Sequence, residues 1–363
     1  MLEPISDKLT PETQAYAKMD NNRTLKLCIK NCILKGVGLG KLKRIFETFI
    51  TATEQAYNIK TMDLDATKGA ISPEDLAAFT KVYRPSFNAG NIQETKRYLK
   101  NNPASKGVKW ERAMAKSVPV YWVTPPSAAD GKVFFYIHGG GWCFGSPDTT
   151  RAFCTEIALL AKVKVLSVDY RLVPEHPHPA QIDDISVAYE WLVESGTKPE
   201  NIVIGGESAG GHLGLLLLDR LKASGQLPAG AVLISPPVDL TFQNVQMIDN
   251  IPTDPFLGTG GAGVFILNLL RNMKIDLTAA GFVPVAFDIS GYPPLLLQAS
   301  TTEVLYFDAL TLKEMAEAAG VDITFQTWDG MMHAFAVICR KDVKEVKEAN
   351  TKIAEFLGKI LSL

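Results

Sequence analysis

From residue 117 onward, short runs of apolar and β-branched residues alternate with longer segments that have the composition of helices. The runs that we predict to be strands are 118–123, 133–137, 163–168, 202–205, 231–235, 295–299 and 323–328. The segments that we predict to be helices are 150–161, 180–194, 209–223, 304–319 and 343–361. Continuous apolar strands that alternate with helices are typical of a largely parallel sheet covered on both faces. We therefore predict an α/β fold with a central sheet flanked by helices.

Two parts of the chain lie outside this alternation. Residues 1–115 look helical, and we interpret them as an N-terminal cap region and lead-in to the sheet-containing domain, 116–363. Residues 241–290 interrupt the alternation with clustered glycines and prolines, which predicts a cap insertion between core strands. Between residues 23 and 44, basic and apolar residues are interleaved. This pattern favours an amphipathic helix packed on the body, and a helix lying on a membrane surface stays an alternative.

The chain has 363 residues and a formal net charge of −2, as expected for a globular protein. This charge argues against a nucleic-acid partner, because such proteins neutralise phosphates with basic patches. The first residues lack the pattern of a signal peptide, and we find no transmembrane segment, so we expect a cytoplasmic protein. Buried thiols, rather than disulfides or a zinc site, are expected from the five scattered cysteines, Cys28, Cys32, Cys143, Cys154 and Cys339.

The sequence GESAG at 206–210 stands between a predicted strand and a predicted helix. A G-x-S-x-G motif in this setting forms a sharp strand-to-helix turn that exposes the serine at the top of the sheet. The turn needs glycine two residues before and two after the serine, since larger side chains would collide there. Ser208 is therefore our candidate nucleophile.

The sequence HGGGW at 138–142 follows the predicted strand 133–137 directly. Acyl transfer needs several N–H donors aimed at one oxygen, and successive glycines let the backbone approach that closely. A glycine-rich loop after a strand could instead hold a phosphate, but neither nucleotide-binding pattern, G-x-x-x-x-G-K-[ST] or G-x-G-x-x-G, follows. The loop therefore predicts an oxyanion hole.

Together with DYRLVPEHP at 169–177, these two motifs make the chain resemble the hormone-sensitive-lipase family of α/β-hydrolase esterases. The resemblance covers roughly residues 117–340. It implies an α/β-hydrolase fold with a helical cap formed by the N-terminal region and the insertion. It also implies that Arg171 and Glu175 hold the loop beside the site. The oxyanion donors that it implies are the N–H groups of Gly140, Gly141 and Ala209.

Of the five histidines, His333 is the best candidate for the general base, because it follows the last predicted strand in the chain order Ser…acid…His. We expect His138 to orient the glycine-rich loop and His212 to pack in the helix after Ser208. His176 and His178 lie in a proline-rich loop ahead of the nucleophile.

The acidic partner of the base should follow a late strand and reach the distal imidazole nitrogen. Glu303 fits this position after the predicted strand 295–299, although many members of the family have aspartate there. Asp308 is the alternative, but it lies five residues further on, where we expect its side chain to face solvent or a neighbouring element.

A serine, a histidine and a carboxylate in this order predict hydrolysis of carboxylic esters through an acyl-enzyme, with no metal or organic cofactor. By resemblance we expect small-molecule esters with small to medium acyl chains, and a homodimer is compatible with the family. The same groups serve an amidase, a formamidase or a lactonase. A non-catalytic small-ligand receptor is less favoured, because it would be expected to lack one of the three residues. Four apolar residues of the insertion have a composition that fits either a pocket wall or the core, and we slightly favour the core for them: Phe256, Leu257, Val264 and Phe265.

Overall fold

The computed structural model describes residues 8–11, 14, 76–77, 79–240, 245–258, 263, 266, 269–270, 276, 279, 281–339 and 341–363. Within these residues, eight strands form one sheet in the order β1-β2-β4-β3-β5-β6-β7-β8. Their bounds are β1 Lys109–Ala115, β2 Val118–Thr124, β3 Val133–Ile137, β4 Lys164–Val168, β5 Ile202–Glu207, β6 Gly230–Ile234, β7 Leu295–Ser300 and β8 Ile323–Trp328.

The strands from β3 to β8 pair in parallel, while β2 runs antiparallel to β4 and β1 antiparallel to β2. Every residue of β3, β5, β6 and β7 is buried. These strands are mainly apolar and show no alternation of apolar and polar residues, because both of their faces are covered. The predicted α/β fold with a largely parallel sheet is confirmed.

Helices cover the two faces of the sheet. Side chains of β3 alternate between them, so that Phe135 and Ile137 join one apolar core and Phe134 and Tyr136 the other. Helices α3, α4 and α5 pack into the first core, and α2 and α7 into the second. The helix bounds are α1 Arg84–Asn101, α2 Arg151–Ala161, α3 Ala180–Glu194, α4 Ala209–Ser224, α5 Tyr306–Ala318, α6 Phe335–Ile338 and α7 Lys344–Leu361.

Strand β1 was not among the predicted strands, since it falls in the segment that we interpreted as a helical region and lead-in. Among the strands that the structure describes, it pairs with β2 alone, at one edge of the sheet, and most of its side chains are partly or fully exposed. An edge strand of this kind carries charged residues and lacks the apolar run that marked the central strands. Residues 109–115 therefore belong to the sheet.

Helix α1 and the helical turn before it, Phe79–Tyr83, bring part of the N-terminal region against the glycine loop, a name that we use for residues 138–145. The rings of Phe79 and Phe87 contact the ring of Phe144 at centroid distances of 5.1 and 4.8 Å. The basic segment 23–44 lies outside the described residues, as do Cys28 and Cys32. Cys143, Cys154 and Cys339 are buried thiols. Among the helices that the structure describes, none combines the length and apolar character needed to cross a membrane.

The described start of the insertion is attached to the loop that follows β7. The Asn250 side-chain amide donates to the carbonyl oxygens of Thr301 and Glu303, at 2.9 and 2.8 Å. The hydroxyl of Thr253 donates to the carbonyl oxygen of Thr302 at 2.8 Å. These bonds fix residues 245–258 over the loop that carries Glu303.

Candidate active site

Ser208 forms the sharp turn between β5 and α4. Its backbone has φ +53° and ψ −126°, outside the regions that residues with a Cβ favour. Such a conformation costs about 1–3 kcal/mol and persists only where the surrounding structure enforces it. A Cβ on Gly206 would overlap the backbone of Gly210, and a Cβ on Gly210 would overlap the carbonyl oxygen of Ile137. Glycine is therefore required on both sides of Ser208, as the motif predicts.

The glycine loop closes on itself through the carbonyl group of Gly140. This oxygen accepts hydrogen bonds from the N–H groups of Cys143 at 3.1 Å and Phe144 at 2.8 Å. The C=O and N–H groups of a trans peptide point in opposite directions. The N–H of Gly141 therefore points away from this closed turn. It donates no hydrogen bond within the described part of the chain.

The peptide between Gly139 and Gly140 is held in a similar way, by the side chain of His138. Its Nδ1 donates to the carbonyl oxygen of Gly139 at 2.8 Å, and its ring stacks on that of Tyr170 with centroids 4.2 Å apart. Burial lowers the pKa of His138 to about 4, so the imidazole is neutral at pH 7. The N–H of Gly140 is turned to the opposite side by the same peptide geometry. Gly140 lines one cavity together with Ser208, and Gly141 and Ala209, the first residue of α4, line a second cavity that Ser208 also borders.

His333 and Glu303, which sequence order places after β8 and β7, are in direct contact. Nδ1 of His333 lies 2.7 Å from Oε2 of Glu303, and both side chains are buried. The other carboxylate oxygen accepts from the Ser235 hydroxyl at 2.8 Å and the Ser300 N–H at 3.0 Å. A carboxylate accepts, so Nδ1 carries the proton and Nε2 is left as the acceptor. Nε2 makes no hydrogen bond within the part of the chain that the structure describes.

Two opposing effects act on the pKa of His333. Burial lowers it, whereas the hydrogen bond and the charge of Glu303 raise it, with further contributions from Asp254 and Glu207. The net result is a pKa above the ordinary value of 6.5. The site therefore stabilises the imidazolium that forms when His333 accepts a proton.

Asp308, the alternative acid, is directed elsewhere. Its Oδ2 accepts from the N–H groups of Val238 at 2.6 Å and Asp239 at 3.2 Å. Its side chain is buried in this contact with a neighbouring loop rather than exposed to solvent. The geometry therefore pairs His333 with Glu303, whereas Asp308 binds the backbone of the loop that contains Val238 and Asp239.

His212 packs against its surroundings, in agreement with our interpretation of it. Its Nε2 lies 2.8 Å from the carbonyl oxygen of Phe282, and its ring contacts those of Trp142 and Phe282. Burial lowers the pKa of His212 to about 3. His178 also packs edge-on against Phe282.

Glu207, the residue before the nucleophile, supports the glycine loop, a role that we did not assign from sequence. One carboxylate oxygen accepts from the N–H of Gly139 at 2.7 Å, and the other accepts from the hydroxyl of Tyr136. The side chain is buried, and burial raises its pKa to about 7. The available signal was a glutamate between Gly206 and Ser208, just after a predicted buried strand, because a buried carboxyl group needs hydrogen-bond partners.

The loop 169–177 is held by its two charged residues, although through partners that the sequence did not identify. Arg171 forms a paired contact with Asp184, with a shortest distance of 2.7 Å. Glu175 accepts from Arg84 of α1 at 2.7 and 2.9 Å. Arg84 thus joins the N-terminal region to the motif-bearing loops, and no local pattern in the sequence marks it.

The insertion adds side chains around His333. Asp254 is buried, and its carboxylate accepts from the N–H groups of Phe256, Leu257 and Val304 at 2.9–3.0 Å. The ring of Phe256 lies parallel to that of His333 with centroids 6.1 Å apart. Our expectation that Phe256 and Leu257 are core residues was wrong, because both are half-buried and line cavities at the site. Residues 264 and 265 lie outside the described residues.

Two cavities meet at Ser208. The larger one encloses about 970 Å³ of space, part of it open to solvent, and is lined by His333. It extends from Phe256 towards side chains of α1 and α6, including Phe87, Asn91, Tyr98, Val337 and Ile338. The smaller one holds about 470 Å³ of space, also partly open to solvent. The described residues that line it are apolar apart from Ser208 and include Trp142, Leu240, Leu257, Ile266 and Leu305. Ser208 can therefore contact a molecule that extends into both.

Comparison with known proteins gives consistent matches. A family model described as the alpha/beta hydrolase fold matches residues 134–337. The chain is 36% identical over 230 residues to an esterase of Acinetobacter venetianus. This alignment covers 63% of this chain and 75% of the esterase. It is 33% identical over 260 residues to Esterase LipU of Mycobacterium tuberculosis, covering 69% and 86%. A solved esterase from the bacterial hormone-sensitive lipase family aligns with a TM-score of 0.69 and 32% identity, covering 89% of this chain and 98% of that one.

Proposed function

Because the chain belongs to the α/β-hydrolase fold family and to its hormone-sensitive-lipase-like esterases, we propose that it hydrolyses carboxylic esters with Ser208 as the nucleophile. The observation that carries the proposal is the buried 2.7 Å contact between Glu303 and His333, in a cavity that Ser208 also lines. The relatives named esterase support the reaction class.

In the first half of the reaction, the hydroxyl of Ser208 attacks the ester carbonyl carbon and gives its proton to Nε2 of His333. The carbonyl oxygen becomes an oxyanion, which the N–H groups of Gly140, Gly141 and Ala209 stabilise. The intermediate collapses by breaking the bond to the alkoxy oxygen, which takes the proton from Nε2 and leaves as the alcohol. Water then attacks the acyl-enzyme by the same steps, releasing the acid and restoring Ser208.

Glu303 acts through His333 rather than on the substrate. Its carboxylate keeps the proton on Nδ1, so that Nε2 faces the reaction as an acceptor. It also balances the positive charge of the imidazolium. The raised pKa of His333 is consistent with this role.

The two cavities suggest how the ester is oriented. The alkoxy oxygen must receive its proton from His333, so the alcohol part belongs on the side of the larger cavity, which His333 lines. The acyl part then extends into the smaller cavity, whose apolar lining suits an alkyl chain. The resemblance to the family implies a chain of small to medium length. We expect good substrates to join such a chain to an alcohol that is as large or larger.

The proposal is tested by comparing wild type with Ser208→Ala on p-nitrophenyl esters from acetate to palmitate, with amides and lactones in parallel. We expect wild type to prefer esters of small to medium chain length and the variant to lose at least about a thousandfold in kcat. Labelling with a fluorophosphonate and mass spectrometry of the adduct gives an independent measure of the nucleophile. Hydrolysis by Ser208→Ala at the wild-type rate, or an adduct on another residue, would contradict the mechanism.

The orientation of the ester is tested with two variants that each replace an aliphatic cavity residue with tryptophan. Leu257→Trp narrows the smaller cavity, and Ile338→Trp narrows the larger one. Leu257→Trp should shorten the preferred acyl chain without changing the ranking of acetate esters of different alcohols. Ile338→Trp should disfavour bulky alcohols and leave the preferred acyl chain unchanged. The opposite pair of results would reverse the assignment of the cavities.

A further inference from the structure

Helix α1, which comes from the N-terminal region, holds the far end of the glycine loop. Nε of Arg84 donates to the carbonyl oxygen of Cys143 at 2.6 Å, and the same guanidinium donates to Val173 and Glu175. One turn further along α1, the Asn88 amide oxygen accepts from the N–H of Gly145 at 3.1 Å. The Arg84 side chain is only 11% exposed, so its charge acts in a partly desolvated environment.

The contact with Cys143 is one end of a chain of hydrogen-bonded peptide groups. The peptide between Cys143 and Phe144 accepts from Arg84 at its oxygen and, on its opposite side, donates from the Phe144 N–H to the oxygen of Gly140 at 2.8 Å. The peptide between Gly140 and Gly141 accepts that bond at its oxygen and turns the Gly141 N–H the other way. Two aligned peptide dipoles thus connect the guanidinium to the N–H of Gly141.

We propose that Arg84 is a positioning residue that orients and polarises the Gly141 N–H through these two peptides, so that the N-terminal region completes the oxyanion hole. Hydrogen bonds in a chain polarise one another, and a positive charge at the accepting end strengthens the donor at the other end. The effect is greatest in the transition state, when the substrate oxygen carries negative charge. The inference rests on the proposed function, since it needs an oxyanion at Gly141.

Three variants separate this effect from general support of the loop. Arg84→Met removes the contact with Cys143 and the charge. Asn88→Ala removes a contact between the same helix and the same loop, but at Gly145, outside the peptide chain. Glu175→Gln removes the ionic partner of Arg84 but leaves the contact between Arg84 and the carbonyl oxygen of Cys143. We expect Arg84→Met to lower kcat about 10- to 100-fold with KM within about threefold of wild type, and the two controls to stay within about threefold in both.

The second readout is the affinity for a trifluoromethyl ketone, which serine hydrolases bind as an oxyanionic hemiketal, measured beside that for an alcohol product, which carries no such charge. For Arg84→Met we expect the inhibition constant of the ketone to rise by the same factor as kcat/KM falls, with the product constant unchanged. Arg84→Lys keeps the charge but has one nitrogen for three acceptors, so its losses in kcat and in ketone affinity should be intermediate. If Arg84→Met does not fold, Arg84→Lys is measured in its place.

Each outcome is decisive. If Arg84→Met and Arg84→Lys keep wild-type kcat and ketone affinity, or if Asn88→Ala loses as much as Arg84→Met, the inference is overturned. If Arg84→Met lowers ketone and product affinity equally, the residue supports the fold of the cavity and not the oxyanion hole, and the inference is again overturned. Ser208→Ala in the same assays distinguishes a failure of this inference from a failure of the proposed function, because hydrolysis that persists in Ser208→Ala would refute the proposed function itself.

Discussion

Oε2 of Glu303 lies 2.7 Å from Nδ1 of His333, while Oε1 of the same carboxylate accepts from the Ser235 hydroxyl and the Ser300 N–H. In Glu303→Gln, the two donors at Oε1 keep the amide oxygen on their side, so the amide N–H₂ faces Nδ1. His333 would then carry its proton on Nε2, where it cannot accept the proton of Ser208. We expect kcat to fall by about 10³–10⁴, the size of effect seen when a triad acid is replaced by its amide.

Asp308→Asn is the matched control for this variant. Asp308 is equally buried, but its carboxylate accepts from the backbone of Val238 and Asp239, and an amide oxygen can do the same. Its kcat should therefore stay within about threefold of wild type. Steady-state kinetics on one ester measures both variants. A larger loss in Asp308→Asn would exchange the roles of the two carboxylates.

The dependence of kcat/KM on pH should report the titration of His333. The base must be neutral, so activity should rise with pH through its pKa, which the contact with Glu303 holds above 6.5 despite burial. In Glu303→Gln the raising effects of the carboxylate are lost and the lowering effect of burial remains. The midpoint of the residual activity should therefore move to lower pH. A profile with the same midpoint in both proteins would show that another group controls the activity.

Glu207 should make the protein less stable as pH rises. Burial raises its pKa from 4.5 to about 7, so between these values the folded chain holds a proton that the unfolded chain releases. The contribution to stability is complete below about pH 4.5 and is lost as pH rises through 7. Glu207→Gln keeps an acceptor for the N–H of Gly139 and removes this titration. We expect its free energy of unfolding, measured in urea from pH 5 to 7, to fall less steeply than that of wild type.

Asp308 provides a comparison in the same experiment, because burial also raises its pKa to about 7, from 3.8. Asp308→Asn should remove a comparable share of the pH dependence, and the double variant with Glu207→Gln should remove more than either. Equal slopes in wild type and both single variants would mean that neither carboxyl holds a proton in the folded protein.

Local and periodic features of the sequence were enough to predict most of the fold and to select the candidate residues of the site. The predicted strands and helices end within two residues of those in the structure, since continuous apolar runs of this length identify buried strands. The proposed role of Ser208 follows from its motif, and the proposed roles of Glu303 and His333 follow from their order along the chain. The contacts that hold these residues could not be read in the same way. Arg84 binds a carbonyl group 59 residues away, and no neighbour in the sequence marks it.

The errors have physical reasons as well. Strand β1 was missed because an edge strand with exposed charged residues has no apolar run. Phe256 and Leu257 were assigned to the core because the wall of an apolar cavity has the same composition as a core. Asp254 was not singled out, since a carboxylate that accepts three backbone N–H groups looks like any other acidic residue in a loop.

The turn at Ser208 should tolerate a methyl group at one glycine of α4 and not at another. In Gly210→Ala the new Cβ would overlap the carbonyl oxygen of Ile137, which belongs to the backbone of a buried strand. In Gly214→Ala, one turn along the same helix, the Cβ would lie 3.5 Å from a methyl group of Leu233, an ordinary contact. Alanine also favours a helix interior over glycine by about 1 kcal/mol.

We therefore expect Gly214→Ala to unfold in urea with a free energy equal to wild type or up to about 1 kcal/mol higher, and to retain activity. Gly210→Ala should lose at least about 2 kcal/mol, because the clash falls on backbone that cannot move aside, and its kcat should fall as the turn at Ser208 shifts. Similar stability and activity in the two variants would show that the turn relaxes easily. That result would remove the steric reason for the second glycine of the motif.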